Sequence, residues 1–222
     1  MGFFNNCTYV CELLQFDIDK FSDSPGHADL ESLLSDAWVL LTQNLQRLET
    51  ADEESKHQQP DLKRHQVLVK VTVVDSPSLD WTLDTGRERY SLRIMTRTTL
   101  DQPRDDIQIF VKSHTYYGAI YALETLSQLV TFHQGDHFLP DNVKVIDRPV
   151  YAYRGVLLDT SRNFYSVDSI KKVVDGMAYN KLNVLHWHIT DANSFPFVSQ
   201  RVPNMAAYGA YSQRQVFVSS KR

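Results

Sequence analysis

Cysteine is scarce. Cys7 and Cys11 are the only two in the 222 residues, and a bridge between cysteines so close in sequence closes almost no loop and stabilises little. Their spacing would put them on one helical face. A zinc site needs more ligands than this pair, and no others lie nearby. They read as ordinary thiols or as partners for cysteines elsewhere. Long apolar runs are missing too: no stretch reaches the roughly eighteen residues a membrane-spanning helix needs. Met1 to Leu14 has no basic start, and Asn5, Asn6 and Glu12 interrupt its apolar residues, so it is not a signal peptide in this form. That leaves a cytosolic protein or one whose true N-terminus lies upstream, and the second is the expectation. There is no basic excess, the formal net charge being −4, so nothing argues for nucleic acid or an anionic membrane surface as a partner. Internal repeats are absent as well.

What is present suits a soluble globular protein. Hydrophobic residues make up 42% and charged residues 23%, enough apolar material for a real core. The length fits one large domain or two small ones. Asn6-Cys7-Thr8 matches the N-glycosylation pattern, a short motif that is common by chance.

Leu30, Leu33, Leu34, Ala37, Trp38, Leu41, Leu45 and Leu48 recur at helical spacing and predict an amphipathic helix. Glu49 to Leu62 is polar and aperiodic and reads as a loop, which makes residues 1–62 an N-terminal segment of helix and loop. Val67, Val69, Val71 and Val73 alternate with more polar positions, as a half-buried strand does. Tyr90, Leu92 and Ile94 repeat that pattern, as do Ile107, Ile109 and Val111. Asp75-Ser76-Pro77 and Asp101-Gln102-Pro103 carry turn chemistry between them, and Asp105-Asp106 is most simply a solvated turn. His114 to Gly118 opens a helix bearing Ala119, Ala122, Leu123, Leu126, Leu129 and Val130, with Tyr116 and Tyr117 packed in the same domain. A short strand, Val143 to Ile146, ends at Asp147-Arg148-Pro149. Residues 63–149 thus form a small α+β domain.

The pattern changes beyond Pro149. Gly155 to Leu158 is continuously apolar, as expected of a strand buried on both faces. Ser166 is placed to cap a helix with Asp168 in its first turn. Val167, Ile170, Val173, Val174, Met177 and Ala178 form the apolar stripe of that helix. Val184 to Ile189 is a second strand, so the unit is βαβ with parallel strands and a right-handed crossover. Arg162 follows the first strand and Asp191 the second, so both fall on the rim beyond the strands' carboxyl ends, where parallel α/β barrels build active sites. Arginine offers a fork of donors for sugar hydroxyls, and aspartate accepts from hydroxyls or orients a neighbour. A structural ion pair, or unrelated loop charges, is the plainer reading of position alone.

Longer blocks carry a resemblance. Arg154-Gly155-Val156-Leu157-Leu158-Asp159-Thr160-Ser161-Arg162 resembles the first barrel strand of glycoside hydrolase family 20. Met177 to Asp191, with Asn180-Lys181-Leu182-Asn183 and His186-Trp187-His188, resembles its first helix end and second strand. Ser194-Phe195-Pro196 and Tyr208-Gly209-Ala210-Tyr211-Ser212 continue the likeness. Upstream, Tyr117-Gly118-Ala119 through Leu129 resembles the helix of the small domain that precedes the barrel. Asn163-Phe164-Tyr165, where many members have His after the arginine, looks closer to insect-type enzymes.

This resemblance implies a β-N-acetylhexosaminidase acting on terminal, non-reducing, β-linked N-acetylglucosamine or N-acetylgalactosamine. It implies retention, with the substrate's own 2-acetamido oxygen as nucleophile, an Asp holding that group and an adjacent Glu as acid and then base. No cofactor and no metal are implied. Arg162 corresponds to the arginine that binds the terminal sugar's hydroxyls and Asp191 to the aspartate that supports the site; Arg154 corresponds to a structural position. The expected fold class is α/β: the small α+β domain, then, over residues 150–222, the first βα units of an incomplete (β/α)₈ TIM barrel. The family's usual setting is secreted, lysosomal or cell-surface, and its members are often dimers, so a homodimer is in view for the full-length enzyme.

One departure matters. The catalytic Asp-Glu pair belongs on a later barrel strand, and Asp52-Glu53, in the polar loop, is the only such step. A (β/α)₈ barrel takes about 250 residues, so the chain is expected to stop inside the catalytic domain, with two barrel strands and part of a third at Val216 to Val218. By itself it should be inactive and prone to aggregate. Its rivals are a short non-catalytic product acting as a binding or regulatory module and, more remotely, a metal hydrolase using His186 and His188, which share a strand face. A packed, hydrogen-bonded histidine pair is the plainer reading of those two, and core packing that of Trp187. Asp159 either positions Arg162 or makes a purely structural hydrogen bond.

Overall fold

The computed structural model describes residues 7–10, 14–18, 27–51, 67–74, 84–99, 102–133 and 136–210. The chain divides into two compact units, Met1–Ala152 and Tyr153–Arg222. In the first the order is β1 (Cys7–Val10), β2 (Leu14–Ile18), α1 (His27–Ala51), β3 (Val67–Val73), β4 (Tyr90–Thr99), β5 (Gln102–Ser113), α2 (Tyr116–Leu129), β6 (Thr131–His133), β7 (Asp136–Pro140) and β8 (Lys144–Asp147). The second holds β9 (Gly155–Asp159), α3 (Val167–Tyr179), β10 (Val184–His188) and α4 (Pro203–Gly209).

The first unit is built on a five-stranded sheet in the order β2-β3-β5-β4-β8 and a three-stranded sheet in the order β1-β7-β6. Register explains its core. Val69 sits opposite Ile109, which sits opposite Ile94; Val71, Val111 and Leu92 form the next row. Side chains alternate across a strand, so the apolar positions of three strands fall on one face, and each of these six is at most 1% exposed. Burying such a side chain is worth about 1.5–3 kcal/mol against leaving it in water. Helix α2 lies on β3, β4 and β5 and packs beside α1, closing that face with Ala119, Ala122, Leu123 and Leu126. Gly118 is needed for this approach, because a Cβ there would lie 2.8 Å from the Arg89 carbonyl oxygen. Along α1 the buried residues are Leu34, Ala37, Leu41 and Leu45, a stripe of helical period. Tyr116 and Tyr117 meet edge to face, with ring centroids 5.6 Å apart.

Four local expectations are corrected here. Cys7 lies on a strand, paired with Pro140, and not on a helix. Gln102, Pro103, Asp105 and Asp106 belong to β5, with Asp106 opposite Arg97; the β4–β5 hairpin is longer than turn-forming residues suggested, because pairing extends past the apolar stretch. The first part of the polar stretch, Glu49 to Ala51, is still helix. Strands β1, β2, β6 and β7 carried too little periodicity to be read. Asp75-Ser76-Pro77, Asp52-Glu53, Cys11 and Val216 to Val218 lie outside the described residues.

In the second unit β9 and β10 are parallel, with Gly155 opposite Val184 and Asp159 opposite His188, and α3 makes the crossover. Ser166 caps α3, its Oγ accepting from the Ser169 N–H at 3.2 Å. At the other end Leu182 N–H donates to Met177 O and Lys181 N–H to Ala178 O, the pairing that ends a helix through a left-handed residue. Here that residue is Lys181, at φ 55°, and Arg154 Nε donates to its carbonyl at 2.9 Å. Burial corrects another expectation. Leu158 is 7% exposed but Leu157 is 59% exposed, so β9 is covered on one face only. A strand buried on both faces needs a layer on each side, and the described residues of the second unit supply one such layer, α3.

Candidate functional site

The two parallel strands release their chain at the same edge, and three charged side chains meet there. Asp159 is the last residue of β9. Its Oδ1 accepts the backbone N–H groups of Ser161 at 3.0 Å and Arg162 at 3.1 Å. Its Oδ2 accepts from Arg162 Nε at 2.6 Å and lies 2.6 Å from Nη2. The N–H groups of Thr160 and Ser161 both reach the His188 carbonyl, at 3.0 and 3.3 Å, so the loop after β9 stays tied to the end of β10.

The loop after β10 folds on Asp191. Its Oδ1 accepts from the Asn193 and Ser194 N–H groups, each at 2.8 Å. Its Oδ2 stands 3.6 Å from Arg162 Nε and 3.5 Å from His188 Nε2. Ser161 Oγ donates to the Ser194 carbonyl at 2.9 Å and joins the two loops. Sequence reasoning missed both serines, which are buried at 4% and 2% exposed; a buried serine in a loop has no periodicity to betray it.

The charges reinforce one another. Partial desolvation raises the Asp159 carboxyl pKa, but the hydrogen bond and charge of Arg162 with the two backbone N–H groups outweigh it and leave the value lowered. Asp191 is lowered first by the Asn193 N–H, against desolvation, and further by Ser194 and His188. Arg162 is raised, chiefly by its hydrogen bond to Asp159. The carboxylates are 16% and 15% exposed while the arginine side chain is 61% exposed. A fork of donors is thus held from below and open from above, suited to a polyhydroxylated ligand.

Arg162 and Asp191, singled out in sequence, are therefore brought together. Asp159 makes both of the contacts weighed for it, one set to the backbone and one to the guanidinium. His186 and His188 are not the hydrogen-bonded pair expected: His186 is exposed, and His188 Nε2 faces the Asp191 carboxylate at 3.5 Å. Both face the side of the sheet that α3 does not cover. Trp187, on the opposite face, is 45% exposed, and its Nε1 donates to Thr160 Oγ1 at 2.8 Å. Among the described residues no group of three or more His, Cys, Asp or Glu could hold a metal, and no helix is long and apolar enough to cross a membrane.

Residues 151–221, which contain this rim, match the catalytic domain of glycosyl hydrolase family 20, and residues 6–129 match the family described as beta-acetyl hexosaminidase like. The chain belongs to glycosyl hydrolase family 20. Insect proteins are among the relatives of this family-20 chain. A probable β-hexosaminidase of Drosophila melanogaster is 42% identical over 153 residues, 68% of this chain and 22% of the relative. A chitooligosaccharidolytic β-N-acetylglucosaminidase of Bombyx mori is 45% identical over 132 residues, 59% of this chain and 21% of the relative. The solved structure of an exo-β-N-acetylglucosaminidase from Vibrio harveyi, in complex with N-acetylglucosamine, matches with a TM-score of 0.59 at 24% identity. That likeness is one of fold, covering 92% of this chain and 26% of the other. The family-20 chain thus spans about a fifth of the length of these curated relatives and contains the start of the catalytic domain.

Proposed function

We propose that this chain forms part of a β-N-acetylhexosaminidase that removes terminal, non-reducing N-acetyl-β-D-hexosamine residues with retention of configuration, and that Arg162 and Asp191 bind the terminal sugar. The reading is carried by the 3.6 Å approach of Arg162 to Asp191, at the common edge of two parallel strands in the segment that matches the catalytic domain. Arg162 donates to the sugar's hydroxyl oxygens, and Asp191, beside the arginine's Nε, accepts from a hydroxyl. In this mechanism the substrate's 2-acetamido oxygen attacks the anomeric carbon, an Asp holds the acetamido group, and the neighbouring Glu protonates the leaving oxygen and later deprotonates water. Of these groups the 222 residues supply only the sugar-holding pair, since Asp52-Glu53 is their only Asp-Glu step and precedes the rim.

The same reading makes β9-α3-β10 the opening of a (β/α)₈ barrel, at residues 150–222, after a segment 1–62 and a small domain 63–149. It places the enzyme in a secreted, lysosomal or cell-surface setting, with glycan or chitin-derived oligosaccharides as substrates. Two measurements test it. The native transcript, read past the codon for Arg222, should continue in frame to an Asp-Glu pair at the end of an apolar strand; an abundant message that stops there argues for a non-catalytic product. The purified 222-residue chain should not hydrolyse a chromogenic N-acetylglucosaminide, and turnover at the order of 1 s⁻¹ or more, ordinary for enzymes, overturns the claim that it lacks the chemistry.

A further inference from the structure

Arg162 is mostly exposed, at 61%, and an exposed arginine samples many rotamers. Ordering it only when a ligand arrives weakens binding. Asp191 cannot order it alone, because 3.6 Å from Nε is beyond good hydrogen-bond length. Asp159 reaches it at both ends. One carboxylate oxygen takes the arginine's own backbone N–H at 3.1 Å, and the other takes the guanidinium at 2.6 Å.

We propose that Asp159 is a positioning residue for the sugar site, fixing Arg162 in its ligand-binding orientation before the ligand is present. This rests on the reading of Arg162 as a sugar ligand. A contact of this kind is charge-assisted and geometrically specific, since the two donors of the fork converge on one oxygen. The remainder of the guanidinium stays accessible for hydroxyl oxygens. The competing role is loop closure alone, in which Oδ1 matters through its bonds to Ser161 and Arg162 and Oδ2 does not.

The two roles separate in the full-length enzyme that carries this segment. Asp159→Asn keeps an oxygen for the backbone N–H groups and puts its NH2, which donates and cannot accept, against the guanidinium. The readouts are affinity for N-acetylglucosamine, KM against kcat, and the melting temperature. We expect affinity to fall roughly tenfold, as for loss of a hydrogen bond to a charged group, with the melting temperature little changed. In an Arg162→Ala background the same substitution should have no further effect on affinity. The proposal is overturned by an equal loss in both backgrounds, or by a lower melting temperature with affinity intact. Should Asp159→Asn fail to fold, Asp159→Ser, whose hydroxyl also accepts from the backbone, takes its place with the same expectations. Unchanged affinity in Arg162→Ala alone overturns the sugar-site reading itself, and the positioning role with it.

Discussion

The two units use the same local code and end in different states. In the first, Val69, Val71 and Leu92 are 0% exposed. In the second, the least exposed large apolar residues among those described are Leu158 at 7% and Met177 at 8%, while Leu157 is 59%, Val174 47% and Trp187 45% exposed. Strands β3, β5 and β4 each have a strand on both sides and a helix across one face. Among the described residues strands β9 and β10 have only each other, and a two-stranded sheet is marginal by itself. Turns, caps and periodicity specify an element wherever they occur; burial requires neighbours that the element cannot specify.

The contrast between the units is most exposed to test in the closed core, where the expected effect is greatest. Leu92→Ala opens a cavity there, and we expect a loss of about 2–5 kcal/mol in denaturant-induced unfolding of the first unit. Leu157→Ala, on the bare face of β9, should cost less than about 0.5 kcal/mol. Equal losses at the two leucines would mean that the face of β9 is covered after all.

Amide hydrogen exchange sharpens the same contrast without mutation. The amides of Val69 and Ile109 should exchange near the rate set by global unfolding of their unit. Those of Leu158 and His186, which the parallel register bonds across β9 and β10, should exchange through local opening, faster by at least about a hundredfold, since few buried contacts hold that pair of strands. Similar protection in both sheets would remove the distinction.

How far the fold and the site could be read from sequence follows the same division. Val67 to Val73, Leu34 to Leu45 and Val167 to Met177 were legible because a sheet or helix face repeats their apolar residues at a fixed period. β7, with the sequence Asp136 to Pro140, and β1 had no such repeat, and each is short. Arg162 and Asp191 were legible as a pair because parallel strands deliver their following loops to one edge. Ser161 and Ser194 were not, because their importance lies in a hydrogen bond across 33 residues that neither residue's neighbours announce. The exposure of Leu157 was hidden by its run, which looks alike whether one layer or two will cover it.

A smaller effect tests the junction between α3 and β10. Lys181 holds the left-handed conformation at φ 55°, where a side chain costs roughly 1–2 kcal/mol and glycine does not. Lys181→Gly should stabilise the second unit by something under about 1 kcal/mol, because glycine also loses more freedom on folding. The Arg154 bond is made to the backbone carbonyl and survives the change. A loss of stability would show that the lysine side chain contributes a contact worth more than the strain.

The smallest effect is set by acid. Asp159 and Asp191 both lie below the ordinary aspartate value of 3.8. A carboxyl lowered in the folded state adds stability that is fully present above its unfolded pKa and is lost as pH falls through the folded value. The window therefore opens below 3.8, and the site should remain ion-paired throughout the mildly acid range. Carbon-13 titration of the two carboxyls should give midpoints below 3.8, and Arg162→Ala should move that of Asp159 upward, since the arginine supplies most of what opposes desolvation there. The shift should shrink in high salt, because the arginine partner is solvent-exposed. The first unit, whose core is apolar, should show no unfolding step tied to those midpoints. Loss of its strand protection at the same pH would mean that the two units, so different in closure, are not independent in stability.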